Sequence, residues 1–244
     1  MNNYLIFIPV YNEEESIEEI TGQIHHLPYS LDILVIDDGS TDRTPELLSN
    51  MPGIQKVFHD KNRGYGQTLI DGLEFAIRGG YEYVITIDSD KQHQPAEIPL
   101  FIRAARQGEH DIISGSRYQK ASRNDYSRAP RDRIRVNRRI TEKINRITGY
   151  QLTDSFCGFK MYRVEALKKL QLSEPGYGMP LQLWIQAWKS NLSVKEVPVE
   201  LIYFDHRVKP DNTSRIFRRY RYYLQIIEKE TTQYEATDIS SASG

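Results

Sequence analysis

Short apolar runs and helical stripes take turns along the first half of this chain. Tyr4 to Val10 is an apolar run of strand length interrupted at Pro9, and Asn12-Glu13-Glu14-Glu15-Ser16 opens a helix whose acidic first turn suits the macrodipole. Leu31 to Ile36 is a second run, closed by Asp37-Asp38-Gly39-Ser40, and Thr41-Asp42-Arg43-Thr44-Pro45-Glu46 carries helix-start chemistry into Leu47 and Leu48. Ile54 to His59 predicts a third strand. Gly64 to Arg78 predicts a helix with Leu69, Leu73 and Ile77 on one face. Tyr83 to Asp88 is the fourth strand, Pro95 to Arg106 the next helix and Asp111 to Ser116 the fifth strand. Strands alternating with helices predict an α/β fold, with a mostly parallel sheet flanked by helices on both faces.

The pattern changes after Ser116. Arg117 to Arg146 holds eleven Arg and Lys residues against Asp125, Asp132 and Glu142, the largest charge asymmetry in the chain. Asp154 to Arg163 reads as a loop running into a strand, Met179 to Lys189 as a largely buried helix, and Leu192 to Phe204 as a final strand. Arg215 to Lys229 is a basic, tyrosine-rich helix. Thr231 to Gly244 lacks apolar periodicity and predicts a loose tail. With no internal repeat and no low-complexity linker, residues 1–230 read as a single domain with a C-terminal helical extension, and 231–244 as a disordered tail.

The fourth strand ends abruptly in Asp88-Ser89-Asp90-Lys91-Gln92-His93. Strand interiors exclude charge, so the carboxylates belong at the carboxyl edge, where open α/β sheets keep their ligands. Two acids on so short a tether suit a hard divalent cation that shares phosphate oxygens with a substrate. They also suit a polar turn after a buried strand, in which Asp88 or Asp90 caps the helix near Pro95. The 244 residues are 39 % apolar, enough for a sizeable core, and the formal charge of −1 speaks against nucleic acid as a partner. One cysteine, Cys157, excludes an internal disulfide framework and fits a reducing compartment. An apolar strand only three residues from the start leaves no room for a charged leader, and no run approaches bilayer-spanning length. The expected location is the cytoplasm, with peripheral contact at the cytoplasmic membrane face as the membrane option.

Several strand ends taken together resemble one family. Ile8-Pro9-Val10-Tyr11-Asn12-Glu13, Val35 to Asp42, Asn62-Arg63-Gly64 and Asp88 to His93 are similar, in order and spacing, to the nucleotide-sugar half of family 2 glycosyltransferases. The dolichyl-phosphate mannosyltransferase, or polyprenyl-phosphate glycosyltransferase, group is the best match. Ser116-Arg117-Tyr118, Asp154 with Gly158-Phe159-Lys160, and Glu196 to Val199 followed by Phe204 and Arg207 extend the likeness over residues 4 to about 215. The resemblance implies a GT-A (Rossmann-like) fold and a nucleotide-sugar donor bound with Mg2+ or Mn2+. It places Pro9, Tyr11, Glu13, Asp37, Asp38 and Asp88 on the nucleotide, and Asp88, Asp90 and Gln92 on the metal. Asp88, Asp90 and Arg117 are the implied catalytic residues.

Enzymes of this family invert the anomeric centre by in-line attack. A polyprenyl-phosphate acceptor is largely anionic at neutral pH and needs cations to position it rather than a strong base. Arg117, Arg131 and Arg207 are the candidates for that acceptor phosphate, with Arg133 a competitor in an uncertain register. Where the family commonly has Gly-Tyr-x-Phe-x-x-Glu, this chain has Gly176-Tyr177-Gly178-Met179-Pro180-Leu181-Gln182. Gln182 cannot act as a base, which argues against a hydroxyl acceptor unless Asp154 or another acid serves, and its amide could read sugar hydroxyls. The segment Val208 to Arg215 lacks the family's glycine-rich, Ser-Lys character. Ile216 to Leu224 has the arginine and aromatic composition of an interfacial helix, or of a helix packed on its own protein. The rival functions are transfer to a saccharide or other hydroxyl acceptor and non-catalytic nucleotide-sugar binding. No Gly-x-Gly-x-x-Gly follows the first strand, which excludes a dinucleotide-binding dehydrogenase, and adjacent His25 and His26 diverge by about 100° on a helix, poorly placed for one metal.

Overall fold

The computed structural model describes residues 3–108, 110–119, 121, 124, 131–202 and 213–241. Its centre is a seven-stranded sheet in the order β3-β2-β1-β4-β6-β5-β7. The strands are β1 (Tyr4–Val10), β2 (Leu31–Asp37), β3 (Gln55–Phe58), β4 (Tyr83–Thr86), β5 (Ile112–Ser116), β6 (Lys160–Arg163) and β7 (Val194–Pro198). All pairings are parallel except those of β6, which runs antiparallel to both β4 and β5. All seven strands fall where the apolar runs predict them. The mostly parallel sheet flanked by helices is borne out, with one antiparallel insertion.

Side chains on a strand alternate between faces, and the two faces of this sheet are buried against different helices. Leu5 and Phe7 of β1, with Leu34 and Ile36 of β2, join α3 (Tyr65–Arg78), α5 (Arg131–Thr148), α6 (Val164–Leu167), α7 (Met179–Lys189) and α8 (Thr213–Ser241) in one core. Ile6, Ile8 and Val10, with Ile33 and Val35, face α1 (Ile17–His25), α2 (Thr44–Asn50) and α4 (Ile98–Arg106) in the other. Both cores are needed because a strand inside a parallel sheet has no solvent face.

Two elements add to or depart from the sequence reading. The later part of the basic run lies in a helix, α5, that is solvated on part of its surface but also buries Val136, Asn137, Ile140, Thr141, Ile144 and Thr148. The arginines occupy its other faces. The C-terminal helix α8 continues to Ser241, so most of the segment expected to be loose is helical. That segment has no Gly or Pro before Ser241, and the hydroxyls of Thr231 and Thr232 donate back to the carbonyls of Ile227 and Glu228, which is compatible with a continuing helix.

β1 pairs β2 on one side and β4 on the other, so the chain's course across the sheet reverses between β1 and β4. The carboxyl ends of these strands open a crevice at that reversal, the place where such sheets bind ligands. Tyr11, Asp37 and Asp88 follow or end β1, β2 and β4.

Candidate active site

A cavity of about 600 Å³ lies at this crevice, and its lining includes Pro9, Tyr11, Glu13, Asp88, Ser89, Asp90 and Gln92 from the loops after β1 and β4. Tyr65, Arg117, Tyr118, Arg133, Val136, Asn137, Phe156, Tyr177, Pro180, Arg219 and Tyr223 complete it.

Local hydrogen bonds set the acidic side. Asn12 adopts a left-handed backbone, φ 57°, as Asn tolerates. Its amide donates to Ser40 Oγ at 2.8 Å and its side-chain oxygen accepts from Thr41 N at 2.8 Å, tying the loop after β1 to the loop after β2. Glu13 is steadied by Ser16 Oγ, which donates to its Oε2 at 2.7 Å. Ser89 Oγ reaches back to the Pro9 carbonyl at 3.2 Å, joining the loops after β1 and β4. Asp90 Oδ1 accepts from Gln92 N at 3.0 Å across Lys91, whose φ of 61° turns the chain sharply. Lys91 Nζ is held by Glu19 of α1.

Asp88 is held from behind. Tyr65 Oη donates to its Oδ1 at 2.9 Å, and Tyr65 stacks on Tyr177 with centroids 5.4 Å apart and planes 16° from parallel. Burial raises the Asp88 carboxyl above its usual range, against the Tyr65 hydrogen bond and the cations Lys160 and Arg117, while Glu13 adds to the rise. Lys160 is itself 2 % exposed, bonded to the Cys157 carbonyl and 5.5 Å from the Trp184 ring. Gly158 closes the cradle, since a Cβ there would sit 2.1 Å from Asp88 Oδ2.

The cationic side is built on Asp154, which is fully buried. Arg117 Nε donates to Asp154 Oδ2 at 2.6 Å and Nη2 to Oδ1 at 3.0 Å, a bidentate fork. Asn137 Nδ2 adds a third bond to Oδ1 at 2.7 Å. Burial opposes the Asp154 charge, but Arg117 and Asn137 outweigh it and hold the carboxyl at about 2. Arg117 is likewise opposed by burial, yet the Asp154 carboxylate raises it well above the arginine range. Glu196 anchors this loop by accepting from the amides of Thr153 and Asp154.

The structure brings Pro9, Tyr11, Glu13, Asp88, Asp90, Gln92 and Arg117 to one cavity and leaves other expected residues out of it. Asp37 and Asp38 are 1 % and 3 % exposed and do not line it. Asp37 Oδ1 accepts from Ser40 N, and Asp38 accepts from His59 and from the amides of Arg63 and Gly64, so both acids shape loops. Arg131 is exposed on the first turn of α5 and away from the cavity lining, whereas Arg133, the alternative register, lines it. Arg207 lies outside the described residues. Gln182 is 3 % exposed and faces inward. Its oxygen accepts from the amides of Ser173 and Glu174, and its Nε2 donates to Ser173 Oγ and to Glu230 Oε1 of α8. The expectation that it reads sugar hydroxyls is corrected accordingly, because its polar atoms are bonded within the protein.

Tyr65, Asn137, Phe156, Tyr177, Arg219 and Tyr223 are cavity residues that sequence reasoning did not select. Two signals were available. Tyr65 directly follows the Asn62-Arg63-Gly64 motif, and Arg219 and Tyr223 stand four apart on one helix face.

The acidic donor set fits a divalent cation. Asp88, Asp90 and Gln92 offer oxygen ligands on one wall, the chemistry hard cations select. Among the described residues no group of three His, Cys, Asp or Glu stands ready to hold a metal by itself. This donor set accordingly suits an ion completed by substrate oxygens and water.

Comparison with known proteins adds a family. The model of glycosyl transferase family 2 matches residues 5–171. Polyprenol monophosphomannose synthase of Mycolicibacterium smegmatis is 31 % identical over 203 residues, covering 80 % of this chain and 76 % of that protein. UDP-N-acetylglucosamine--dolichyl-phosphate N-acetylglucosaminyltransferase of Methanococcus voltae is 28 % identical over 221 residues, covering 83 % and 86 %. Among solved structures, glucosyl-3-phosphoglycerate synthase from Mycobacterium tuberculosis with Mn2+, UDP-glucose and phosphoglyceric acid superposes with a TM-score of 0.73 at 22 % identity. The match covers 94 % of this chain and 79 % of that one, and shows a shared fold.

Proposed function

The chain belongs to glycosyl transferase family 2, and on that premise we propose that it transfers a hexose from a nucleotide-diphosphate sugar to a polyprenyl phosphate, with inversion and with a divalent metal. GDP-mannose is the favoured donor, in keeping with relatives named polyprenol monophosphomannose synthase and undecaprenyl-phosphate mannosyltransferase. The observation that carries the reading is one cavity lined by acidic oxygen ligands together with arginines and aromatic rings.

The acidic wall takes the donor. Tyr11 is 45 % exposed at the end of β1 and offers a ring to the base, and Glu13 offers a carboxylate to polar base or ribose edges. Asp88, Asp90 and Gln92 would hold Mg2+ or Mn2+, which when bound supplies Lewis-acid neutralisation of charge on the leaving diphosphate. Tyr65 and Gly158 keep the Asp88 carboxylate in position.

The opposite wall takes the acceptor. Arg117 and Arg133 present guanidinium groups to a phosphate, and Val136, Phe156, Pro180 and Tyr223 give its first isoprenyl carbons an apolar surface. A phosphate acceptor arrives already ionised, so the site needs no general base. Asp154 is unsuited to that task, being held at about 2 and bonded to Arg117 and Asn137. Gln182 is sealed in the core. Among the described residues no helix is long and apolar enough to cross a membrane. Access to a lipid runs instead over the start of α8, where Phe217 is 65 % exposed among exposed Arg215, Arg218 and Arg221.

The test is a transfer assay with GDP-mannose, UDP-glucose and UDP-N-acetylglucosamine, each with Mg2+ or Mn2+, offered a short-chain prenyl phosphate or 3-phosphoglycerate. Metal-dependent product on the prenyl phosphate, greatest with GDP-mannose and lost in Asp90→Ala, is expected. Product only on 3-phosphoglycerate would replace the acceptor assignment, and unchanged turnover in Asp90→Ala would remove the metal from it.

A further inference from the structure

The loop between α6 and α7 ties the C-terminal helix to the acidic end of the site. Its residues 173–178 are fixed from three elements. Gln182 of α7 accepts from the amides of Ser173 and Glu174, each at 2.8 Å. The Pro175 carbonyl accepts from Gln67 N in the first turn of α3 at 3.1 Å. That contact is so close that a Cβ at Gly66 would sit 2.3 Å from the Glu174 carbonyl oxygen. From α8, Tyr222 Oη donates to Glu174 Oε1, the same oxygen that accepts from Gly176 N at 3.0 Å. Glu174 thus joins α8 to the turn that carries Tyr177. Burial and the Glu174 carboxylate raise the Tyr222 hydroxyl above its ordinary range, so it remains a donor.

Tyr177 is 70 % exposed, so burial does not hold its ring. The turn beneath it and the stack on Tyr65, with centroids 5.4 Å apart, do. Tyr65 Oη in turn donates to Asp88 Oδ1 at 2.9 Å. A continuous line of contacts therefore runs from Tyr222 through Glu174, the 176–177 turn and two stacked rings to a carboxylate that lines the cavity. Both ends of this line are hydroxyls donating to carboxylates, the stronger class of hydrogen bond. Neither Tyr222 nor Glu174 is among the cavity's lining residues, so neither touches a ligand there. We propose that Tyr222 and Glu174 are positioning residues for Asp88, which they keep in its metal-binding orientation through the Tyr177–Tyr65 stack. Seating of the C-terminal helix thereby governs how well the acidic residues bind their cation. The proposal rests on the transferase reading in taking Asp88 as a metal ligand.

Calorimetric titration of GDP and of UDP into the full chain, each with and without Mn2+, reads the Mn2+-dependent gain in nucleotide affinity without requiring turnover. Tyr222→Phe is expected to reduce that gain about threefold to tenfold, a coupling of the size carried through packed contacts, while affinity without Mn2+ stays within about twofold. Glu174→Ala has the same effect. Glu174→Gln, whose amide oxygen still accepts from Tyr222 and Gly176, recovers most of the gain. In the Tyr65→Phe background Tyr222→Phe has no further effect, because the line of contacts ends at the Tyr65 hydroxyl. An unchanged gain in Tyr222→Phe, whatever the shift in its urea midpoint, overturns the proposal and keeps Asp88 as a metal ligand. So does an undiminished effect of Tyr222→Phe in the Tyr65→Phe background, which would connect α8 to the metal by another route. Absence of any Mn2+-dependent gain in the unsubstituted protein, with either nucleotide, overturns the metal reading and the proposal with it.

Discussion

Replacing Asp154 by Asn changes one oxygen to an amide at the most connected carboxylate of the site. Asp154 is fully buried and accepts from Arg117 Nε, Arg117 Nη2 and Asn137 Nδ2. Its folded value of about 2 against 3.8 corresponds to about 2.5 kcal/mol at 1.36 kcal/mol per pKa unit. Removing one member of a buried ion pair costs about 3 to 5 kcal/mol, because the other charge is stranded. Asn keeps one acceptor oxygen, so the expected loss lies near the lower figure, at about 2 to 3 kcal/mol. Urea unfolding at pH 7 should show the transition midpoint lowered with little change in slope.

The pH dependence gives that experiment a second edge. The folded pKa is depressed, so the stabilisation is fully present above the unfolded value of 3.8 and is lost as pH falls toward 2. The gap between the two proteins should therefore be constant from pH 7 to about 5 and shrink by roughly half at pH 3. A loss under about 1 kcal/mol, or a gap that widens on acidification, would refute the claim that Asp154 exists to fix Arg117. So would an Asp154→Asn protein of unchanged stability that had lost transfer to a hydroxyl acceptor alone, since that is the signature of a general base.

Three further substitutions probe the supports of the site. Tyr65→Phe removes the hydroxyl that donates to Asp88 Oδ1; steady-state kinetics should show transfer falling about ten- to a hundredfold, the worth of one bond to a charged group, with little change in melting temperature. Gly158→Ala places a Cβ 2.1 Å from Asp88 Oδ2, and should cost about 1 to 3 kcal/mol in denaturant unfolding together with at least about tenfold in transfer as the carboxylate is displaced. Gln182→Glu sets a carboxylate against Glu230, to which the amide now donates at 2.7 Å; the protein should unfold at least about 2 kcal/mol more easily at pH 7, and a product assay should show no gain on hydroxyl acceptors.

The strands were legible because a sheet buried on both faces demands continuous apolar runs, and β1 and β2 supply them. The buried face of α5 was not, although Val136, Ile140 and Ile144 repeat at a spacing of four within it. Eleven basic residues between 117 and 146 give this segment a charge pattern that outweighs its apolar period. Helical rotation accounts for the departures on α5 and α7. A motif matched by spacing identifies residue types, but each step along a helix turns a side chain by 100°. Pro180 reaches the cavity while Gln182, two residues on, is turned into the core against Glu230. The same rotation brings Arg133 to the cavity and leaves Arg131 in solvent. The residues after β1 and β4 could be placed at the cavity from the chain because those strands end at its rim, whereas Asp37 and Asp38 at the end of β2 are turned into loop hydrogen bonds. Much of the remaining cavity lining comes from α5, α7 and α8, and which of their polar residues face the cavity is settled only once those helices dock against one another.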